Sequence, residues 1–590
     1  MSWLAGTAND GGHNWRMIHH AQLRSDTRCR PAFHPSNPDV IYASSGGRLH
    51  ISRDRGKTFA PIGNLKDLLY GEIAINPSDP NIMLAGTRSG RACLSHDAGT
   101  TWTICYGPEG QVIGFHFDNT SKGRSLFAAT DKGIWRSDDG DQTWMEKTDG
   151  LPWQEIQGFA GGSNLTGKTV MLYCTVTSRE QNGALRGGVY RSRDQGRSWQ
   201  PAMGQGINTD TTTADRWAYG SIAQYRQILT TDTKPLTVYV VNTSTRFHPP
   251  HHETVYRSDD GGETWRATYF QDPRFKEYNV APNYVTASAG QSFKRGDTPF
   301  GAAICNSDPN RLILVWSQSY VTHDGGATWF NSDTYPSPGQ KPKPGCAWAC
   351  TGLVVTTTWN YYVDPFEANR HYIAYTDIGF ARSVDGGKTW IWWDKDSWAP
   401  WRNTCYEIAF DPGLPGKMWG AFSDVHDIPN DNIISERHGH NRPGGVCMSR
   451  DFGASWKHEA QGIPPRPVTS IVLDPGSPKE ARTLYAGVFM EGVYKSTDDG
   501  TTWQRIGREG RQTFGGYFHP KNRAWIYMTL TEGAPGAGLW LSQDNGQTWR
   551  AFDDLPFSNI QRVTFDPSDD SLLYVTTFGG SVWRGPVAPP

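Results

Sequence analysis

An octapeptide of the form Ser-x-Asp-x-Gly-x-Thr-Trp recurs ten times along this 590-residue chain and constrains its fold more than any other feature. The copies are SRDRGKTF (52–59), SHDAGTTW (95–102), SDDGDQTW (137–144), SRDQGRSW (192–199), SDDGGETW (258–265), THDGGATW (322–329), SVDGGKTW (383–390), SRDFGASW (449–456), STDDGTTW (496–503) and SQDNGQTW (542–549). Each residue type has a use in a tight turn. The Asp side chain accepts from backbone N–H groups of its own turn. The Gly takes a positive φ that a side chain would penalise. The closing aromatic starts the next strand and fills the gap to a neighbouring sheet. The octapeptide therefore reads as a structural hairpin turn, and its aspartates as turn residues rather than catalysts.

Around each turn the chain repeats itself. A first strand ends in His-Pro, Asn-Pro or Asp-Pro (AFHPSNP, AINPSDP, VLDPGSP), a second follows (VIYASS, IMLAGT, LYAGVF), and a third runs into the octapeptide. Successive octapeptide aromatics lie 42 to 66 residues apart, a length that suits four short antiparallel strands. After Trp549 an eleventh unit, NIQRVTFDPSDDSLLYVTTFGGSVWRG, stops before any octapeptide, while ANDGGHNW (8–15) carries Asp10, Gly12 and Trp15 in register. Joining the two ends gives 56 residues, an ordinary spacing, so the N-terminal strand is expected to complete the C-terminal unit. Closure of that kind removes exposed sheet edges.

The octapeptide resembles the Asp-box of the sialidase, xyloglucanase and sortilin propellers, and the resemblance runs the length of the chain. It implies an all-β propeller of about ten to eleven blades. One arrangement is a single large ring over residues 1–590, as in sortilin-type propellers. The other is two propellers, with 206–464 inserted between 1–205 and 465–590, as in xyloglucan-active endoglucanases.

Composition narrows the partners. A formal net charge of −2, with both signs mixed along the chain, gives no pull towards nucleic acid or an anionic membrane. No apolar stretch approaches the roughly 18 residues of a membrane helix. The nine cysteines include no C-x-x-C pair, and they read as buried small hydrophobes. The segment MSWLAGTANDGG has neither a basic n-region nor an apolar h-region; a secreted or periplasmic location after removal of a signal is favoured over a cytoplasmic one.

Length differences between units fall on the face opposite the octapeptide turns, and insertions on a rigid scaffold mark the working side. Between second and third strands lie TSREQNGALRGG, NTSTRFHPPHHE (242–253) and SDVHDIPNDNIISERHGHNRPGG (423–445). Between units lie 271–297, NSDTYPSPGQKPKPGCAWAC (331–350) and WWDKDSWAPWRN (392–403). The aromatics of these loops, Trp348, Trp398 and Trp401 among them, suit stacking on sugar rings, or else pack the loops against one another.

Carboxylates lie in the same arc. Asp377 follows the second strand of the seventh unit (YTDIGFARS), and Asp424 takes the equivalent place in the eighth (AFSDVHDIP) with His426 and Asp427 behind it. Adjacent carboxylates at matching positions suit general acid–base work on a glycosidic bond. TDIGFARS is also similar to the TDIGG-type motif that bears a catalytic Asp in the xyloglucan-active family, which implies that role for Asp377. That family's second catalytic segment, Gly-Asp-x-x-Gly-Phe, has no clear counterpart.

Histidines form a second signal: His248, His251 and His252 in unit five, and His426, His438 and His440 in unit eight. With Arg246, Arg437, Tyr278 and Tyr284 they would suit a polysaccharide lyase, where His or Tyr abstracts a proton and Arg stabilises the developing charge. The same histidine-rich loops are where a divalent metal would sit, against the reading of solvated loop histidines; no other cofactor is implied. A sialidase is disfavoured, because RCRPAFHP replaces that family's Arg-Ile-Pro motif. The expected function is a carbohydrate-active enzyme cleaving a polysaccharide or oligosaccharide, foremost a glycoside hydrolase with paired Asp residues. The alternatives are a lyase and a non-catalytic propeller that binds glycan or peptide.

Overall fold

In many units the second strand is the most buried element. Met83–Thr87, Leu126–Thr130, Val238–Asn242, Leu484–Val488 and Ile526–Leu530 are buried at every residue. A strand covered on both faces carries a continuous apolar run rather than an alternation, and these sequences do. The computed structural model describes residues 6–18, 22–23, 30–122, 124–140, 143–211, 222–243, 254–270, 276–284, 287, 301–315, 319–352, 358–392, 399–425, 443–506, 513–530, 536–553, 555, 560–566, 568–577 and 582–589.

Among the described residues a two-stranded ribbon (Gly6–Thr7, Arg16–Met17) precedes eleven antiparallel sheets in chain order, ten of them meanders of consecutive strands and the seventh a four-strand meander with two further strands added at its edge. The last sheet (Ile560–Phe565, Leu572–Thr577, Val582–Pro586) has three strands; most others have a short fourth, such as Gln200–Pro201, just after the octapeptide. Inner strands carry a register shift near their start, at Val112/Gly114, Ile156/Gly158, Cys405/Glu407 and Ile560/Arg562 for example. Such a bulge bends a strand and adds twist.

The octapeptide turns repeat one hydrogen-bond set. In the first, Thr58 donates to Asp54 through its N–H (2.9 Å) and its hydroxyl (2.6 Å), while Ser52 Oγ accepts from the Gly56 N–H at 2.7 Å. Gly56 has φ +77°, as the turn requires. The preceding residue is left-handed as well. In six copies it carries a side chain (Arg55, Ala98, Gln195, Phe452, Asp499, Asn545), with φ between +55° and +69°. The indoles of Trp199, Trp265 and Trp329 donate to Lys147, Ala202 and Thr268 carbonyls of the preceding unit, so these aromatics do fill the inter-sheet gap.

The chain divides into two compact units, one of Met1–Asn283, Phe293–Tyr335 and Thr351–Leu353, the other of Tyr284–Ser292, Pro336–Cys350 and Val354–Pro590. Within the first, Arg30 Nη2 reaches Gln227 Oε1 at 2.7 Å, joining the start of the first sheet to the inner strand of the fifth. Within the second, Arg562 and Glu407 come within 3.7 Å from the inner strands of the eleventh and eighth sheets.

The N-terminal octapeptide sits elsewhere than the spacing suggested. The Trp15 N–H donates to the Thr351 carbonyl (2.7 Å), His323 Nε2 lies 3.2 Å from the Gly11 carbonyl, and His13 stacks on Phe330 at 5.0 Å. Its described partners are thus on and beside the sixth sheet, not on the C-terminal strands. Counting residues between chain ends gives a length; it does not say which sheet edge is nearest.

Two expected loops are strands. TSREQNGALRGG extends its sheet as the hairpin Thr169–Gln181 and Ala184–Ser192, closed by Asn182 (φ +55°) and Gly183 (φ +77°). Two left-handed residues are what a two-residue hairpin turn needs, and Asn-Gly supplies them. Ala347–Cys350 pairs with Trp390–Trp392 on the edge of the seventh sheet. Among the eight described cysteines six are buried, while Cys305 and Cys350 are exposed.

Candidate active site

The seventh sheet runs through His371–Tyr375, turns at 376–379 and returns along Phe380–Ser383. Asp377 occupies that turn, half-buried and left-handed at φ +70°. An Asp tolerates this conformation better than most residues, but it still costs energy, and surroundings must hold it. They do. Thr376 is fully buried, and its hydroxyl accepts from Trp359 Nε1 at 2.7 Å. The Ile378 N–H donates to the Thr376 carbonyl (2.9 Å), and the Tyr375 N–H to Gly379 (2.7 Å). Burial pushes the Tyr375 phenol above its ordinary range, which keeps it protonated.

The eighth sheet supplies the second carboxylate. Met418–Ser423 is buried at every residue, and Asp424 emerges directly after it, exposed, with its N–H donating to Pro443 at 2.9 Å. The inner strand Thr404–Phe410 of this sheet ties the two turns together. The Gly379 N–H donates to the Asn403 carbonyl (3.0 Å), and Gly379 pairs with Thr404 in a parallel bridge. The Thr404 hydroxyl donates to the Val425 carbonyl, next to Asp424, at 2.8 Å. Trp359 packs against Tyr406 of the same strand, ring centroids 5.3 Å apart. Two carboxylates thus follow the second strands of adjacent sheets, Asp424 directly after Ser423 and Asp377 after Tyr375 and Thr376, on turns joined through one hydrogen-bonded segment.

The remaining candidates divide sharply. Trp348 is fully buried, within a cluster containing Cys346, Trp390 and Trp392. Trp401 is 9% exposed and meets His458 edge-to-face at 4.7 Å. Both therefore pack the interior rather than offer a face to a sugar. Tyr284 is buried and stacked on Trp392 (4.2 Å), and Tyr278 is half-buried, its hydroxyl pushed up by burial. Arg246, His248, His251, His252, Trp398, His426, Arg437, His438 and His440 lie outside the described residues, and so does the divalent-metal alternative built on them. Sequence reasoning missed Trp359, Thr376 and Thr404. Nothing in a threonine at a strand start signals a bond to the next turn.

Comparison with known proteins bears on the fold first. A family model described as BNR/Asp-box repeat matches residues 256–267, and one described as "Sortilin, neurotensin receptor 3" matches 491–582. The crystal structure of the GH74 xyloglucanase from Xanthomonas campestris superposes with a TM-score of 0.60 at 16% identity, covering 99% of this chain and 83% of that one. The fold of this chain is that of a β-propeller with Asp-box turns. Its curated relatives include a xyloglucanase of Hypocrea jecorina, 22% identical over 94% of this chain and 71% of its own length. Another is the oligoxyloglucan-reducing end-specific xyloglucanase of Emericella nidulans, 22% identical over 51% of this chain. The chain spans 39% of the length of the Emericella nidulans protein.

Proposed function

We propose that this propeller is a glycoside hydrolase that cleaves a polysaccharide of the xyloglucan class, with Asp377 and Asp424 as its acid–base pair. The observation that supports the reading is that both carboxylates follow the second strands of adjacent sheets, on turns bonded through Asn403 and Thr404. The relatives named xyloglucanases supply the substrate class.

Hydrolysis needs a carboxylic acid to protonate the departing glycosidic oxygen and a carboxylate to activate water or to attack the anomeric carbon. Asp377, half-buried in a constrained turn, suits the acid. Asp424, exposed at its strand end, suits the group that meets water. Half-burial excludes part of the solvent from a developing charge and strengthens its interaction with neighbouring dipoles. The test is incubation of the purified protein with xyloglucan and a panel of other polysaccharides, following reducing ends and the ultraviolet absorbance of unsaturated sugars. Reducing ends without that absorbance are expected. Absorbance rising with reducing ends would make the protein a lyase, and no product from any polysaccharide would leave a binding propeller.

A further inference from the structure

We propose that Thr404 is a positioning residue that fixes the Asp377 turn relative to the Asp424 turn; the assignment rests on the paired-carboxylate reading above. In six sheets the first residue of the inner strand pairs with a residue near the end of the second strand: Leu69 with Thr87, Val112 with Thr130, Ile156 with Val176, Tyr225 with Asn242, Val468 with Val488, Ile560 with Thr577. Those six leading residues are apolar or aromatic, and all are 3% exposed or less. Threonine leads the inner strand in the seventh, eighth and tenth sheets (Thr358, Thr404, Thr513); Thr358 is exposed, whereas Thr404, opposite Ser423, is fully buried and keeps its hydroxyl. A buried hydroxyl is costly unless bonded. This one donates to Val425 at 2.8 Å and lies 3.0 Å from Asn403 Oδ1.

Its backbone meanwhile faces the other way, pairing with Gly379 two residues beyond Asp377. The start of this strand thus holds both carboxylate-bearing turns, the Asp377 turn through the Asn403 carbonyl that accepts from Gly379 and the Asp424 turn through the Thr404 hydroxyl. β-Branching restricts χ1, so the hydroxyl direction is set by the strand. An acid–base pair needs a fixed separation, because misplacement of a reacting group by about 1 Å can cost roughly 100-fold in rate. Ser423 Oγ also approaches the Val425 carbonyl, at 3.3 Å, but it belongs to the Asp424 strand and links nothing to Asp377.

The test compares Thr404→Val, which keeps shape and loses the hydroxyl, with Thr404→Ser, which keeps the hydroxyl, both assayed on xyloglucan for reducing ends. Thr404→Val is expected to lower kcat about 10- to 100-fold with KM within about threefold, and to move one limb of the pH profile of kcat/KM by about half a unit. Thr404→Ser should stay within about threefold of the wild type. If Thr404→Val is recovered unfolded, Thr404→Ala removes the same hydroxyl and is read the same way. Unchanged kcat in Thr404→Val, or equal losses in the Val and Ser variants, would overturn the assignment. Asp377→Asn and Asp424→Asn run alongside. If both stay active, the paired-carboxylate reading falls; if both are inactive while Thr404→Val is not, the positioning role alone falls.

Discussion

Two sets of aspartates occupy turns at opposite ends of the same sheets, and they are used in opposite ways. The octapeptide aspartates are turned inward on their own loops: Asp54, Asp97, Asp194, Asp324 and Asp544 each accept a backbone N–H and a hydroxyl from the residue four positions on. That geometry recurs with hydrogen-bond lengths that barely change, which is what a structural repeat demands. The 376–379 turn and the Asp424 turn have no such repeat. Besides bonds within the 376–379 turn, their described hydrogen bonds reach other segments, through Trp359, Asn403, Thr404 and Pro443. Repetition therefore marks the residues that hold the sheets, and the proposed acid–base pair lies where the octapeptide pattern does not reach.

Substitutions on the octapeptide side should cost stability and spare activity per folded molecule. The largest effect is expected at Trp329, which is 1% exposed, bonded to the Thr268 carbonyl and packed edge-on to Tyr269. Trp329→Ala should lose about 3–5 kcal/mol in denaturant titration, a value typical of truncating a buried aromatic. Asp324→Ala breaks the bonds to Thr322 and Thr328 and should cost about 1–2 kcal/mol in the same titration, because the site is partly exposed to solvent. The smallest effect is on acid titration. Hydroxyl and N–H donation from Thr58 and Thr548 lowers Asp54 and Asp544 to about 2. A depressed carboxyl stabilises the fold above the ordinary carboxylate range, and that stability is lost as pH falls through about 4 towards 2. A melting temperature that holds above pH 5, then drops steadily below pH 4, is the expected profile; a flat profile to pH 2 would show that these bonds contribute little.

The same contrast explains what could be read from sequence. Ten octapeptides and an eleventh partial unit gave the sheet count, because Ser, Asp, Gly and Trp each do a local job within eight residues. The positions of Asp377 and Asp424 after the second strands of adjacent sheets were legible for the same reason, since strand order repeats. What lay beyond reach was non-local. The edge that Trp15 joins depends on Thr351, more than 300 residues away in sequence. The burial of Trp348 depends on a strand, Ala347–Cys350, whose partner follows some forty residues later. One local signal was simply overlooked: Asn182-Gly183 closes a hairpin where a loop was expected.

The most direct test of the account places one aspartate from each set beside the other. Asp377→Asn, Asp424→Asn and Asp324→Asn are purified together, and each is measured for kcat/KM on xyloglucan and for thermal midpoint. Asp377→Asn and Asp424→Asn are each expected to lose about 1,000-fold in kcat/KM with an unchanged midpoint, while Asp324→Asn loses midpoint and keeps its activity. Full activity in either site variant, or an activity loss in Asp324→Asn beyond its loss of folded protein, would contradict the division of labour between the two ends of the sheets.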